Sequence, residues 1–150
     1  MELTFRQAEN EDAEHIFRFN KQLIFDYESL EDINLEKVLR WVQKKITSRI
    51  EEYAAIYADG KKAGYYHFFQ NEEGEFELDD LYIFPEFRNQ GIGSAVIRKC
   101  CSSVKEPVML YVFIRNKGAV SLYKRMGFQV METIKNSRYI MKREQDAAGI

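Results

Sequence analysis

The sequence is poor in the residues that form disulfides and metal sites. It has two cysteines, the adjacent Cys100 and Cys101, and two histidines, the isolated His15 and His67. Neighbouring cysteines form a poor disulfide pair, and no further cysteine or ligand-like spacing completes a zinc site. We therefore predict no metal site. We interpret the cysteines as small packing residues of a helix and the histidines as packed or surface side chains.

Long apolar runs, secretory features and low-complexity segments are absent as well. No stretch approaches the ~20 apolar residues of a membrane span, and residues 1–6 lack the layout of a signal peptide. A cytoplasmic protein without a membrane partner is therefore expected. The length of 150 residues, with 45% apolar and 31% charged side chains, predicts a single domain over residues 1–150. The polar end, residues 143–150, is expected to be a loose tail.

A large excess of one charge is also lacking. The net charge is −2 at pH 7, which argues against a nucleic-acid partner. Residues 84–125 contain eight Lys or Arg and two Glu, a net charge of +6, which leaves −8 on the rest of the chain. Six acids precede this basic segment: Glu72, Glu73, Glu75, Glu77, Asp79 and Asp80. These charges favour an anionic ligand beside the basic segment and a cationic ligand beside the acids.

Two glycines at the predicted start of a helix are the most informative feature that is present. They lie in the run Arg88-Asn89-Gln90-Gly91-Ile92-Gly93-Ser94, between a strand-like and a helix-like segment. Glycine lets backbone N–H groups approach a ligand with no Cβ in the way. The first turn of a helix has N–H groups without a partner in the helix, and its dipole favours anions. The run is therefore predicted to bind a diphosphate group.

Three known phosphate-binding loops can be compared with this run. A Walker P-loop needs a lysine directly after its last glycine, and none follows Gly93. The dinucleotide fingerprint requires a small residue three positions after its second glycine, where Val96 stands here. The third form, Arg/Gln-x-x-Gly-x-Gly/Ala, is present. It resembles motif A of the acetyltransferases of the GNAT family, which hold the diphosphate of acetyl-CoA.

Two flanking segments extend this resemblance over about residues 76–131. Residues 80–88 read Asp-Leu-Tyr-Ile-Phe-Pro-Glu-Phe-Arg, which is similar to the family's approach to motif A. Residues 116–128 contain the family pattern Asn-x-x-Ala-x-x-Leu-Tyr-x-x-x-Gly-Phe. The resemblance implies an α+β acetyltransferase fold, in which about four helices flank a mixed six- to seven-stranded sheet. That sheet is splayed between its fourth and fifth strands.

Hydrophobic periodicity and turn signals predict elements in the order β-α-α-β-β-β-α-β-α-β-β, which is the order of that fold. Strands are predicted at residues 3–7, 53–58, 62–70, 75–84, 108–114, 128–134 and 137–142. Helices are predicted at residues 9–28, after an N-cap at Asn34, at residues 92–104, and between Asn116 and Gly127.

The resemblance also implies roles for individual residues. The backbone of Tyr82 and Ile83 would bind the pantetheine arm of acetyl-CoA, and one of their N–H groups would face the thioester oxygen. Asn116 matches the asparagine that contacts the cofactor, and it also suits a helix N-cap. Tyr123 matches the tyrosine that protonates the departing thiolate and lies against the cofactor. Its alternative role is that of a packing residue.

A base for the acceptor amine is expected on the strand that enters the glycine run. An amine with a pKa of ~10.4 arrives protonated, so a carboxylate or a chain of waters must remove its proton. The resemblance suggests Asp79 first and Glu77 second. Strand alternation puts these two on one face and Asp80 on the other, unless a β-bulge shifts the phase.

The sequence therefore predicts an acetyl-CoA-dependent N-acetyltransferase that moves an acetyl group directly to a primary amine of a small molecule or peptide. Acetyl-CoA is the expected cosubstrate. A non-catalytic acyl-CoA sensor of the same fold is the main alternative, and a nucleotide-binding module of another fold is a third. The acceptor is left open, and a homodimer is expected only because homodimers are frequent in the family.

Overall fold

A seven-stranded sheet organises residues 1–145, the part of the chain that the computed structural model describes. The strands are β1 (Leu3–Gln7), β2 (Tyr53–Ala58), β3 (Lys61–Gln70), β4 (Phe76–Ile83), β5 (Val108–Phe113), β6 (Gln129–Ile134) and β7 (Arg138–Arg143). The α-helices are α1 (Asn10–Tyr27), α2 (Leu35–Ser48), α3 (Ile92–Ser102) and α4 (Lys117–Arg125). Within these residues, no helix has the length and apolar character needed to cross a membrane.

The strand order is β1-β2-β3-β4-β5-β7-β6. All neighbouring strands are antiparallel except β4 and β5, which are parallel. Helices α1 and α2 cover one face of this sheet with residues such as Ile16 and Ile46, while α3 and α4 cover the other with Val96 and Val120. The prediction of a mixed sheet of six to seven strands with about four helices is therefore confirmed.

The sheet opens between β4 and β5. Their register consists of Phe76 opposite Val108 and Glu77 opposite Met109, although β4 continues to Ile83 and β5 to Phe113. We call the diverging parts, residues 78–83 of β4 and 110–113 of β5, the fork. Backbone N–H and C=O groups require partners, so a diverging strand edge can accept an extended ligand in place of a neighbouring strand. The predicted splay between the fourth and fifth strands is confirmed.

A β-bulge corrects the prediction of strict alternation along β4. Asp79 pairs with His67 and Tyr82 pairs with Tyr65, so two residues of β4 stand opposite one residue of β3 between these pairs. Asp80 has a positive φ of 51° there. The extra residue shifts the phase, so Asp80 faces α1 and α2 together with Asp79. Strict alternation, which would put Asp80 on the opposite face, therefore does not hold here, and the stated exception for a β-bulge applies.

Both predicted asparagine caps are confirmed. The Asn34 side chain accepts a hydrogen bond from the Lys37 N–H at 3.1 Å, at the start of α2. The Asn116 side chain accepts from the Ala119 N–H at 3.3 Å, at the start of α4. These caps satisfy N–H groups that have no partner inside the helix.

The C-terminal prediction is only partly testable. Arg143 is the last residue of β7, and the Gln145 side chain donates to the carbonyls of Cys101 and Val104. Residues 143–145 are therefore not part of a loose tail, and residues 146–150 lie outside the described residues. Both Cys100 and Cys101 are buried in α3, as expected of packing residues.

Gly64 on β3 sets how closely β4 approaches. A Cβ added there would lie 2.0 Å from the carbonyl oxygen of Tyr82, and a backbone atom cannot move away as a flexible side chain can. We expect Gly64→Ala to lower the free energy of unfolding by about 2 kcal/mol or more, measured by urea denaturation. The matched control is Gly118→Ala in α4, whose Cβ would meet nothing within 4 Å. This control should gain roughly 0.5–1 kcal/mol. Equal midpoints for the two variants would contradict the steric argument.

Candidate active site

The glycine run forms a tight loop between β4 and α3. Asn89 and Gly91 have positive φ angles of 62° and 81°. Gly91 is the N-cap residue of α3, and a Cβ added to it would meet no atom within 4 Å. The first backbone hydrogen bond of α3 joins the Ala95 N–H to the Gly91 carbonyl at 3.0 Å. The amides ahead of that bond belong to Ile92, Gly93 and Ser94, and these N–H groups suit a diphosphate.

Two polar side chains of the run bind the loop itself. The Arg88 Nε donates to the Ile83 carbonyl at 2.9 Å, and its guanidinium carbon lies 5.5 Å from the centroid of the Tyr82 ring. The Gln90 side chain donates to the Glu86 carbonyl at 3.4 Å. Arg88 is exposed, so its outer nitrogens face solvent beside the helix start. The side chain of Ile92 is buried, which restricts any contact with a ligand to its backbone.

Ile83 of the predicted cofactor strand and Tyr123, the predicted acid, pack against the same hydrophobic cluster. Tyr82 is fixed by stacking on Phe19 of α1, with ring centroids 4.1 Å apart. Tyr123 of α4 packs edge-on against Phe128 at 5.7 Å. Burial raises the pKa of Tyr123 well above its ordinary value, and the charges of nearby carboxylates add to this. The phenol therefore stays protonated at neutral pH, as a proton donor must.

A lysine joins the two aspartates at the bulge. The Lys45 ammonium from α2 forms an ion pair with Asp79 Oδ2 and lies 3.8 Å from Asp80 Oδ2. The Tyr53 hydroxyl donates to Asp80 at 2.6 Å, and the Asp80 N–H donates to Asp79 Oδ1 at 2.9 Å. The Asp79 side chain is 22% exposed and that of Asp80 only 7%, so Asp79 is the carboxylate that an acceptor can reach.

The pKa values of Asp80 and Lys45 are both shifted by this arrangement. Burial raises the pKa of Asp80, and the charge of Asp79 raises it again. Burial alone would lower the pKa of Lys45, but the charges of Asp79 and Asp80 outweigh burial and raise it. Lys45 is therefore charged at neutral pH, and it binds the more exposed of two neighbouring carboxylates.

Glu77, the second candidate base, is placed differently. It accepts a hydrogen bond from the Asn71 side chain at 3.2 Å and pairs in register with Met109 of β5, before the strands diverge. Burial raises the pKa of Glu77, and the charge of Asp79 contributes. Glu77 thus lies at the closed end of the fork. This geometry favours Asp79 over Glu77 as the base, and both roles stay predictions.

Sequence reasoning missed three polar residues of this cluster: Lys45, Glu52 and His67. Lys45 had a detectable signal, because it lies three and seven residues after Val42 and Val38 on the apolar stripe of α2. His67 is fully buried, and its Nε2 lies 2.9 Å from Glu52 Oε1. No spacing in the sequence connects His67 with Glu52. Within residues 1–145, no three His, Cys, Asp or Glu side chains are grouped to hold a metal ion.

Comparisons with known proteins agree with this geometry. The profile of the Acetyltransferase (GNAT) family matches residues 8–128. An uncharacterized N-acetyltransferase of Methanocaldococcus jannaschii is 32% identical over 119 residues, which cover 72% of this chain and 53% of that protein. The thialysine N-epsilon-acetyltransferase of Bos taurus is 40% identical over 60 residues, which cover 35% of this chain and 33% of that protein. The chain thus spans about half or less of these relatives' lengths.

Solved structures support the same fold. The PaiA N-acetyltransferase of Thermoplasma acidophilum, solved in complex with coenzyme A, matches with a TM-score of 0.72 and 22% identity, covering 96% of this chain and 99% of that one. An N-acetyltransferase of Staphylococcus aureus Mu50 matches with a TM-score of 0.70 and 17% identity, covering 93% and 98%. The sequence profile and the archaeal relative identify the family, and the chain belongs to the acetyltransferase (GNAT) family.

Proposed function

We propose that the protein is an acetyl-CoA-dependent N-acetyltransferase that moves an acetyl group directly to a primary amine of a small molecule or peptide. One observation carries the proposal. Gly93 at the start of α3 lies against the side chain of Ile83, at the open end of the fork, and the negative charge of Asp79 on β4 raises the pKa of Tyr123 on α4. A diphosphate, a thioester, a base and an acid can thus be arranged along one cleft.

The cofactor is held mainly by backbone in this proposal. The amides of Ile92, Gly93 and Ser94 bind the diphosphate of acetyl-CoA, and Arg88 adds positive charge beside it. The loop residues Asn89, Gln90 and Gly91 set the direction in which those amides point. The pantetheine arm lies along Tyr82 and Ile83, where β4 has left β5, and a backbone N–H polarises the thioester carbonyl. The side chain of Asn116 contacts the arm from the start of α4.

The acetyl transfer removes two protons from the acceptor ammonium, one before the attack and one after it, and supplies one proton to the sulfur. Deprotonating an amine with a pKa of ~10.4 at pH 7 costs roughly 4–5 kcal/mol, and Asp79 accepts that proton. The neutral nitrogen attacks the thioester carbon, forming a C–N bond as the C–S bond breaks. The leaving thiolate takes a proton from the Tyr123 hydroxyl. The nitrogen of the new amide then loses its second proton, which restores the Tyr123 hydroxyl. No acyl-enzyme is required, because the amine attacks the thioester itself.

The acceptor is proposed to be an amine at the end of an alkyl chain. Lys45 supports this, since its own alkylammonium group sits on Asp79 and Asp80. The name of the bovine relative, a thialysine N-epsilon-acetyltransferase, points to the same chemistry. The acceptor ammonium would replace Lys45 on Asp79. A single domain, a homodimer, a cytoplasmic location and the lack of nucleic-acid or membrane partners stay predictions.

A two-stage assay tests the proposed function. We expect coenzyme A to raise the melting temperature of the protein, while ATP and NAD leave it unchanged, because only coenzyme A carries an arm that fits the fork. Acetyl-CoA should then release free thiol in the presence of amines from a panel that includes lysine analogues and diamines. A shift with coenzyme A but no thiol release with any amine would favour the sensor alternative. A shift with ATP or NAD alone would exclude the proposal.

A further inference from the structure

His67 is the most enclosed polar side chain behind the candidate base. Its ring is fully buried between Tyr53 and Phe69, with centroid distances of 4.3 and 4.1 Å and nearly parallel planes. Its Nε2 lies 2.9 Å from Glu52 Oε1. Within the described residues, Nδ1 has no hydrogen-bond partner, and the Asp79 Oδ2 atom lies 4.0 Å from it.

These contacts determine which nitrogen of the His67 ring carries the hydrogen. Because Nε2 faces a carboxylate, it carries the hydrogen and donates it to Glu52, so Nδ1 has a free lone pair. Burial lowers the pKa of His67, although Glu52 and Asp79 oppose this, and the ring is neutral at pH 7. The titratable and charged groups that face it are Glu52 of the 3-10 turn at Ile50–Glu52, Tyr53 of β2, Asp79 of β4 and Lys45 of α2.

A buried acceptor without a donor is destabilising, and such atoms are rare in proteins. A donor can reach Nδ1 when Asp79 is protonated, because the Asp79 O–H would need to approach by only about 1 Å for a normal hydrogen bond. Lys45 contacts the same Oδ2 atom that faces Nδ1. An acceptor ammonium that takes the place of Lys45 therefore delivers its proton to the carboxylate oxygen nearest His67.

We propose that His67 is a positioning residue that receives, through Asp79, the proton of the acceptor amine, and that Glu52 holds its ring in the accepting tautomer. This rests on the proposed function. The proton passes from the amine nitrogen to Asp79 Oδ2 and from there to His67 Nδ1. Asp79 is then a carboxylate again, and the imidazolium lies between Asp79 and Glu52. After the product leaves, the proton returns through Asp79 to water, because Asp79 reaches the surface and His67 does not.

The arrangement makes the site a stronger base than a lone carboxylate. Imidazole ordinarily has a pKa about two to three units above that of an aspartic acid. Burial removes part of this difference for His67, and the charges of Glu52 and Asp79 restore part of it. A proton acceptor works best when its pKa is near the working pH. His67 supplies that basicity without touching the substrate, while Asp79 supplies the contact.

The test compares pH–rate profiles of paired variants. We expect His67→Gln to lower kcat about 10-fold or more and to move the acidic limb of kcat/KM to lower pH, with KM for acetyl-CoA within about two-fold. Glu52→Gln should move the limb in the same direction. The matched controls are His15→Gln and Glu51→Gln, which remove the other histidine and the neighbouring acid. Both controls should keep the acidic limb of the wild type.

A second measurement does not depend on turnover. The chain has two histidines, so nitrogen NMR of the imidazoles can be assigned with the His15→Gln variant. We expect His67 to be neutral at pH 7 with its hydrogen on Nε2. A hydrogen on Nδ1, or an unchanged acidic limb in His67→Gln, would overturn the proposal while leaving the proposed function intact. If the wild-type protein released no thiol with any amine of the panel, both this proposal and the proposed function would be overturned.

Discussion

Asp79→Asn is expected to lower kcat about 10²–10⁴-fold while the affinity for coenzyme A changes little. Asparagine has almost the same shape and can still accept from the Asp80 N–H, which donates to Oδ1 at 2.9 Å. It cannot take a proton from the acceptor ammonium. The variant therefore loses the proton transfer and keeps cofactor binding. The loss of kcat should be measured as thiol release under saturating acetyl-CoA, and the affinity for coenzyme A by calorimetry.

Two further variants make this expectation specific. Glu77→Gln removes the second candidate base from the closed end of the fork, and a loss of less than about ten-fold is expected. Glu75→Gln removes an exposed acid that pairs with Lys142 at 3.5 Å, and activity should be unchanged. If Glu77→Gln lowered kcat more than Asp79→Asn does, Glu77 and not Asp79 would be the base. Denaturation midpoints should accompany the rates, because Asp79→Asn also removes the ion pair of the half-buried Lys45.

Sequence signals that involve only residues close together in the chain predicted the fold well. The caps at Asn34 and Asn116 needed only a side chain that can reach an N–H three residues on. The turn between the predicted strands at residues 53–58 and 62–70 needed only Asp59 and Gly60, which tolerate positive φ angles and have values of 49° and 82°. The glycine run could be located for the same reason, because Gly91 acts through its own backbone.

The acceptor side of the site could not be predicted in this way. The bulge at Asp80 depends on how β3 and β4 align, and a shift of one residue exchanges the faces of every later side chain. The pairing of Lys45 with Asp79 joins residues 34 positions apart, and the contact between His67 and Glu52 depends on where a 3-10 turn meets β3. Contacts of this kind follow from packing, so the residue types alone carry no signal for them.

Tyr123→Phe is expected to lower kcat about 10²-fold, with the dissociation constant for coenzyme A within about two-fold of the wild type. Phenylalanine keeps the edge-on contact with Phe128 at 5.7 Å and removes only the hydroxyl. The leaving thiolate then has to take its proton from water, which is less well placed. Rates under saturating acetyl-CoA, together with calorimetric titration of coenzyme A, separate the two quantities.

The pH dependence of the same rate gives an independent check. A general acid works while it is protonated, so its contribution is lost as pH rises through its pKa. Burial and the charges of Asp79 and Asp80 raise the pKa of Tyr123. The wild-type rate should therefore show no decline from this group below its ordinary pKa of about 10.

The control is Tyr57→Phe on β2, whose ring lies 4.6 Å from the guanidinium of Arg6, away from the fork. It should retain full activity. Equal losses of kcat and of coenzyme A affinity in Tyr123→Phe would mean that the tyrosine packs the site without supplying a proton.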